Sequence, residues 1–178
     1  MRGLHLLLVG LIAVAGLVFA AMWLWTIPII SAGTTPPGLM DMQPADMSAE
    51  ATRTYLATMS DTALRTYLGP QRVLDTVFPI ALAAALALVT LLLLRPRIGR
   101  LALVAALVPM LYLYADLLEN AAIADLLRRP NAADAVIEQA RVYTQVKFQV
   151  LLIAGLILAL ALFSRLVNWS LERIRRVG

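Results

Sequence analysis

The chain contains no cysteine and a single histidine, and charged residues make up only 15% of its 178 residues. The lack of cysteine excludes disulfides, thiolate catalysis and iron–sulfur ligation by the chain's own side chains. The single histidine, His5, lies near the N-terminus, so a histidine-rich zinc or haem site is not expected. The charged fraction is well below the quarter or so that is typical of soluble domains. We therefore expect no cofactor, no metal centre and no catalytic residues of these kinds.

Most of the sequence is apolar, with 61% hydrophobic residues and a mean hydropathy of +0.82. Four long apolar runs extend over approximately residues 4–30, 73–94, 101–118 and 146–164. A bilayer core about 30 Å thick needs about 20 helical residues to cross it, and backbone amides in hydrocarbon must be paired within their own segment. The sequence therefore predicts an all-α polytopic membrane protein: one domain over residues 1–178, a four-transmembrane-helix bundle with outer segments at 31–72 and 119–145.

The basic residues are concentrated on one side of the predicted membrane. The link at residues 95–100 holds three arginines and no acid. With Arg2 and the C-terminal tail, this side has eight basic residues and one acid, whereas the other side has seven basic residues and ten acids. Basic residues in short loops stay in the cytoplasm, so both termini are expected there. The same arginines account for the pI of about 10.0.

The first apolar run has a second interpretation, as a cleaved secretory signal. Arg2 precedes the run, and Val18-Phe19-Ala20 resembles a small-residue cleavage site. However, the run continues through Trp23 and Trp25, beyond the usual length of a signal core, and these rings fall where an outer aromatic belt is expected. We therefore expect residues 1–20 to be retained in a first membrane helix; cleavage would leave three spans in the same orientation.

The outer segments contain signals for short amphipathic helices that lie on the membrane surface. Ser48 is placed to cap a helix that ends near Met59. A second short helix is predicted over about residues 61–68, ending at Gly69-Pro70. Asn131 is placed to cap a helix that leads into the fourth span.

Polar residues from three spans are predicted to meet at one depth. On the third span they recur at spacings of three and four, so they share one helix face. The second and fourth spans begin with polar residues at the same outer boundary. The predicted polar cluster consists of Arg72, Asp75, Tyr112, Asp116, Glu119, Asn120 and Lys147.

Three interpretations of this cluster remain open. Ionisable groups in a membrane segment usually pair with one another, so the cluster can be a structural clasp in which carboxylates neutralise Lys147 and Arg72. It can instead bind a hard cation or an ammonium head group through its oxygens. It can also perform acid–base catalysis with carboxylates of unequal pKa. We favour the clasp, because the neighbouring cations argue against an empty metal site and no hydrolase, transferase or phosphate-binding signature is present.

Three segments of the chain resemble a known group of sequences. They are Leu74-Asp75-Thr76-Val77-Phe78-Pro79, Ala115-Asp116-Leu117-Leu118-Glu119-Asn120 and Thr144-Gln145-Val146-Lys147. Together they resemble an uncharacterised family of small bacterial four-helix integral membrane proteins. The family has no activity that can be transferred to this chain. The resemblance implies only that the polar residues at positions 75, 116, 119, 120 and 147 belong together.

The expected role is that of a non-enzymatic protein of the cell inner membrane. It binds a lipid or a small apolar ligand, or acts as an accessory subunit of a membrane complex; the expected partners are membrane lipids, a membrane protein or further copies of the chain. No nucleic acid is expected, because no basic stretch is interleaved with aromatics. The alternatives are a lipid-modifying enzyme that uses the outer carboxylates, and a small oligomeric transporter. A cavity that reaches Asp116 and Glu119 would favour these alternatives, whereas a filled and paired cluster would favour a scaffold.

Overall fold

The computed structural model describes residues 2–42 and 48–177, and beyond Ser170 it describes only the side chain of Arg173. This part of the chain is almost entirely helical and contains no strand, which confirms the all-α fold class. We number its helices α1 Arg2–Ala32, α2 Ala49–Thr58, α3 Asp61–Ile98, α4 Leu101–Arg128 and α5 Asp134–Val177. All of them except α2 are long and apolar enough to span a membrane.

Large apolar side chains are exposed on the outside of the bundle. Leu107 on α4 is 59% exposed and Leu160 on α5 is 69% exposed. We call this exposed apolar surface the apolar belt. Such a surface is unfavourable in water and is typical of a contact with membrane or protein. On α4 the exposed apolar side chains run from Leu101 to Leu117. The apolar belt therefore ends near Leu117, although the helix continues to Arg128.

The bundle is built around α4, which packs against both α3 and α5. Alanines such as Ala83 on α3 and Ala102 on α4 are completely buried, and small side chains of this kind let membrane helices approach closely. Helix α1 packs mainly against α3, where the rings of Phe19 and Phe78 lie 5.8 Å apart. The arrangement is thus a three-helix bundle of α3, α4 and α5 with α1 at its edge.

The short helix predicted over about residues 61–68 does not end there but forms the first part of α3. The short helix was expected to stop at Gly69-Pro70, but the chain passes through a π-helical turn, Tyr67–Gln71, and continues into the span. Gly69 has non-helical backbone angles there, φ −102° and ψ −105°. The widened turn accommodates Pro70, which cannot donate a backbone hydrogen bond. The predicted helix end is therefore a bend.

The predicted helix starts had different outcomes. Ser48 caps α2 as predicted, because its hydroxyl accepts a hydrogen bond from the amide of Ala51 at 3.1 Å. The prediction that Asn131 caps α5 was wrong. Helix α5 begins at Asp134, and the carbonyl of Ala133 accepts its first helical hydrogen bonds. From there α5 runs without interruption through the fourth span.

The two ends of the bundle differ. At one end, which we call the hairpin end, α3 and α4 are joined at Gly99, whose φ of +56° suits glycine. At the other, the cap end, the helices extend past the apolar belt and enclose a hydrophobic core with α2. We call this core the cap core; its buried members are Ile30, Leu39, Met40, Tyr55, Tyr67, Ile123, Leu126, Leu127, Ile137 and Ala140.

A close approach between α1 and α3 closes the cap end. The amide of Ser60 donates a hydrogen bond to the carbonyl of Gly33 at 2.8 Å. A Cβ on Gly33 would overlap the Ser60 hydroxyl and lie 2.8 Å from the Cβ of Ala63. Only glycine fits at this contact, which brings the end of α1 against the start of α3 within the cap.

Candidate functional site

Lys147 is the centre of a buried polar cluster at the junction of the apolar belt and the cap core. Its side chain is only 8% exposed. The ammonium contacts Glu119 Oε2, and it lies 3.4 Å from Asp41 Oδ2 and 3.6 Å from Asp116 Oδ1. A buried charge is costly unless it is paired, and here three carboxylates surround it. The ammonium therefore joins α5 to α4 and to the 3₁₀ turn Met40–Met42.

A second set of hydrogen bonds extends the cluster to α3 and α1. The side-chain amide of Asn120 donates to the carbonyl oxygen of Asp75 at 2.9 Å and to Asp116 Oδ2 at 3.0 Å. Gln71 donates to Asp75 Oδ2 at 2.8 Å and accepts a hydrogen bond from the Thr26 hydroxyl. Thr26 and Gln71 both lie in π-helical turns. The network thus connects all four membrane-length helices.

Tyrosines from the cap hold the Asp41 turn over the cluster. The hydroxyl of Tyr67 donates to Asp41 Oδ1 at 2.8 Å. The hydroxyl of Tyr55, on α2, donates to the carbonyl of Gly38 at 2.7 Å. Burial raises the pKa of Tyr55 far above its ordinary value, so this hydroxyl keeps the proton that it donates. Asp41 is thereby held against Lys147.

The structure brings most of the predicted cluster together. Asp116, Glu119 and Lys147 are in direct contact, and Asn120 and Asp75 belong to the adjoining hydrogen-bond network. Tyr112 is buried one helical turn before Asp116.

Arg72 is the exception among the predicted members. It was expected to neutralise carboxylates, yet it forms no ion pair within the described ranges 2–42 and 48–177. Its Nη1 is buried without a hydrogen-bond partner among those residues. Arg72 lies at the border of the cluster, and Lys147 is the cation at its centre.

The sequence did not predict Asp41, Gln71 or Thr26 as members of the cluster. Gln71 precedes Asp75 by four residues, a spacing that places both on one helix face and could have identified it. Thr26 lies in an apolar run and has no such signal. Asp41 reaches the site only because the segment after α1 folds back over the bundle. That return depends on tertiary contacts, so no local pattern indicates it.

The cluster has more acids than bases. One ammonium, that of Lys147, lies among four buried or mostly buried carboxyl groups, those of Asp41, Asp75, Asp116 and Glu119. Glu119 is fully buried at 0% exposure, and its Oε1 has no hydrogen-bond partner among the described residues. Within the described part of the chain, no group of acids or histidines is arranged to hold a metal ion.

A small pocket reaches the border of the cluster. It has a volume of about 10 Å³ and is lined in part by Tyr67, Arg72, Asp75 and Asn120. This is about the space that one water molecule needs. The acids that surround Lys147 are not among its lining residues. This pocket is therefore too small for an organic substrate.

Fold and site together describe an all-α protein with four membrane-length helices and a buried ionic cluster. Comparison of the chain with protein-family models, with curated proteins and with solved structures finds no match. The resemblance to small bacterial four-helix proteins therefore stays a hypothesis.

Proposed function

We propose that this is a non-enzymatic protein of the bacterial inner membrane that binds membrane lipid, and that the polar cluster is a structural clasp. The observation that carries the proposal is the set of ion pairs at the centre of the cluster, where Lys147 contacts Asp41, Asp116 and Glu119. An enzyme needs room for its substrate beside the reacting groups. The neighbouring pocket holds about one water molecule, which supports a structural role.

The position of the clasp supports this role. It lies where the lipid-facing belt of α4 ends, directly beneath the cap core. Packing within the bilayer gains little from the hydrophobic effect, since lipid tails are as apolar as the side chains. Polar contacts at this depth add an attraction that fixes the register of the helices. The clasp thus joins the membrane part of the bundle to its cap.

The edge position of α1 supports association with a further membrane partner. Helix α1 packs mainly on α3 and leaves large apolar side chains exposed, among them Leu6, Leu17 and Leu24. Lipid covers such a surface in a monomer. An accessory subunit or a second copy of the chain would use the same surface.

We propose that the hairpin end faces the cytoplasm, because its short link holds Arg95, Arg97 and Arg100 without an acid. A reporter that is active only outside the cytoplasm should work when fused to chains truncated after Gly38 or Asn131. It should fail after Gly99 and at the C-terminus of the whole chain. Activity of the Gly99 fusion would mean that the hairpin end lies outside the cytoplasm, opposite to the proposed orientation.

Carboxamide variants test the clasp against a ligand or catalytic site. Glu119→Gln and Asp75→Asn keep the size and much of the hydrogen bonding of each side chain but remove the ionisable oxygen. In a clasp, Lys147 still pairs with Asp41 and Asp116 after the Glu119 change, so the loss of stability should be smaller than that of Lys147→Met. Both variants should then rescue a cellular phenotype of a deletion strain as well as the wild type does. Proton transfer and cation coordination both require the ionisable oxygen. Folded variants that fail to rescue would overturn the clasp.

A further inference from the structure

A groove opens at the hairpin end, between the last turn of α3 and the C-terminal part of α5. It has a volume of about 320 Å³. Pockets that bind small molecules in proteins measure about 300–1,000 Å³, so the groove has room for a ligand. Its lining residues are Pro96, Arg97, Arg165, Asn168 and Trp169.

The groove presents the positive charge of two arginines. Arg97 donates a hydrogen bond from Nη1 to the carbonyl of Leu93 at 3.0 Å, which positions its guanidinium, and no other hydrogen bond joins it to the described side chains. Neither Arg97 nor Arg165 forms an ion pair with a described residue. A third cation, Arg173, lies over the ring of Trp169 at 5.4 Å. Arginine donates two parallel hydrogen bonds to phosphate, so this charge favours a phosphate group.

The groove lies at the depth of lipid headgroups. On its membrane side α5 exposes apolar residues that face the bilayer, including Leu160 and Phe163. Trp169 is 58% exposed, and tryptophan is enriched where the bilayer meets water because its indole is apolar with one polar N–H. A lipid with its phosphate in the groove can therefore lay its acyl chains along the apolar surface of α5.

We propose that this groove binds the headgroup of an anionic phospholipid. The inference deepens the proposed lipid-binding function and rests on it, but it does not depend on the clasp. An anionic headgroup has a net negative charge, whereas a zwitterionic one carries an ammonium that two arginines repel. Basic pockets between helices on the cytoplasmic side of membranes bind anionic headgroups in this way.

Lipid retention measures this preference directly. The wild-type protein is reconstituted in an equimolar mixture of phosphatidylglycerol and phosphatidylethanolamine, extracted in mild detergent, and weighed with its bound lipids by native mass spectrometry. The wild type should retain phosphatidylglycerol in preference. The double variant Arg97→Gln with Arg165→Gln should lose that preference at least fivefold.

A second pair of arginines is the matched control. Arg95→Gln with Arg100→Gln removes the same charge from the same end, but neither residue lines the groove. This pair should keep most of the preference. All four side chains are exposed, so the melting temperatures of both double variants should equal that of the wild type.

The possible results separate the site from the general function. Equal losses in the two double variants would mean diffuse attraction by surface charge and would overturn the groove. An unchanged preference in the Arg97 and Arg165 variant would also overturn it. If every protein retains both lipids equally, lipid binding stands and only the groove is wrong. A wild type that retains neither lipid contradicts both proposals.

Discussion

Replacing Lys147 by methionine should destabilise the protein by about 3–5 kcal/mol, the range observed when one member of a buried ion pair is removed. Methionine retains the length of the side chain but lacks the ammonium that Asp41, Asp116 and Glu119 surround. The carboxylates would then lie close to one another without a cation. The free energy of unfolding in mixed detergent micelles measures the loss.

Arg141→Met is the control for this change. Arg141 lies on the same helix and pairs with Glu138, but both side chains are substantially exposed to solvent. An exposed ion pair contributes little to stability, so Arg141→Met should unfold almost as the wild type does. A Lys147→Met protein as stable as the Arg141→Met protein would show that the ammonium is solvated and that the cluster is not a clasp.

Leu126→Ala should destabilise the protein by about 2–5 kcal/mol, the usual range for truncating a buried leucine. Leu126 lies on α4 beyond the apolar belt and is 0% exposed within the cap core. Unfolding of the cap exposes its core to water. Leu126→Ala therefore loses the transfer free energy of the removed side-chain atoms and also leaves a cavity in the folded protein. Thermal unfolding followed by circular dichroism measures the effect.

Leu107→Ala is the matched variant on the same helix. Leu107 is 59% exposed on the apolar belt, where its surroundings are lipid or detergent in both states. Its truncation should change stability by less than about 0.5 kcal/mol, as for most substitutions at exposed positions. If both leucine variants lose the same stability, the cap core does not contribute more than the lipid-facing surface.

The membrane-length helices could be predicted because an apolar run of this length has one stable solution in a bilayer. The end of α4 could not. Beyond the apolar belt, α4 continues as a cap helix, and its extra turns are stabilised by contacts with α1, α2 and the Met40–Met42 turn. Those contacts join residues far apart in the sequence. The apolar runs therefore predict the spans but not the extension to Arg128.

The local sequence signals for helix ends were the least reliable predictors of the structure. Gly69-Pro70 has the pattern of a helix end, yet a widened turn carries the helix through it. The turn also places Gln71 against Thr26 and Asp75. A sequence pattern predicts how the chain can end a helix, but packing on α1 decides whether it does.

The polar cluster was predicted in part because helical spacing fixes which side chains share a face. Asp116, Glu119 and Asn120 on α4 were predicted in this way, and the matching depth of Asp75 and Lys147 indicated that they meet. Helical spacing could not predict two features of the cluster. Asp41 enters from a turn without helical periodicity, and Arg72 is displaced from the centre although its position in the sequence is suitable.

A double-mutant cycle between Lys147 and Glu119 tests the clasp most directly. It compares Lys147→Met, Glu119→Gln and the double variant by their free energies of unfolding. Because the two side chains touch, we expect a coupling energy above about 1 kcal/mol, whereas a cycle of Lys147→Met with Asp75→Asn, which form no direct ion pair, should give a smaller value. Additive losses for Lys147 and Glu119 would contradict the account, because independent residues cannot hold α4 and α5 together.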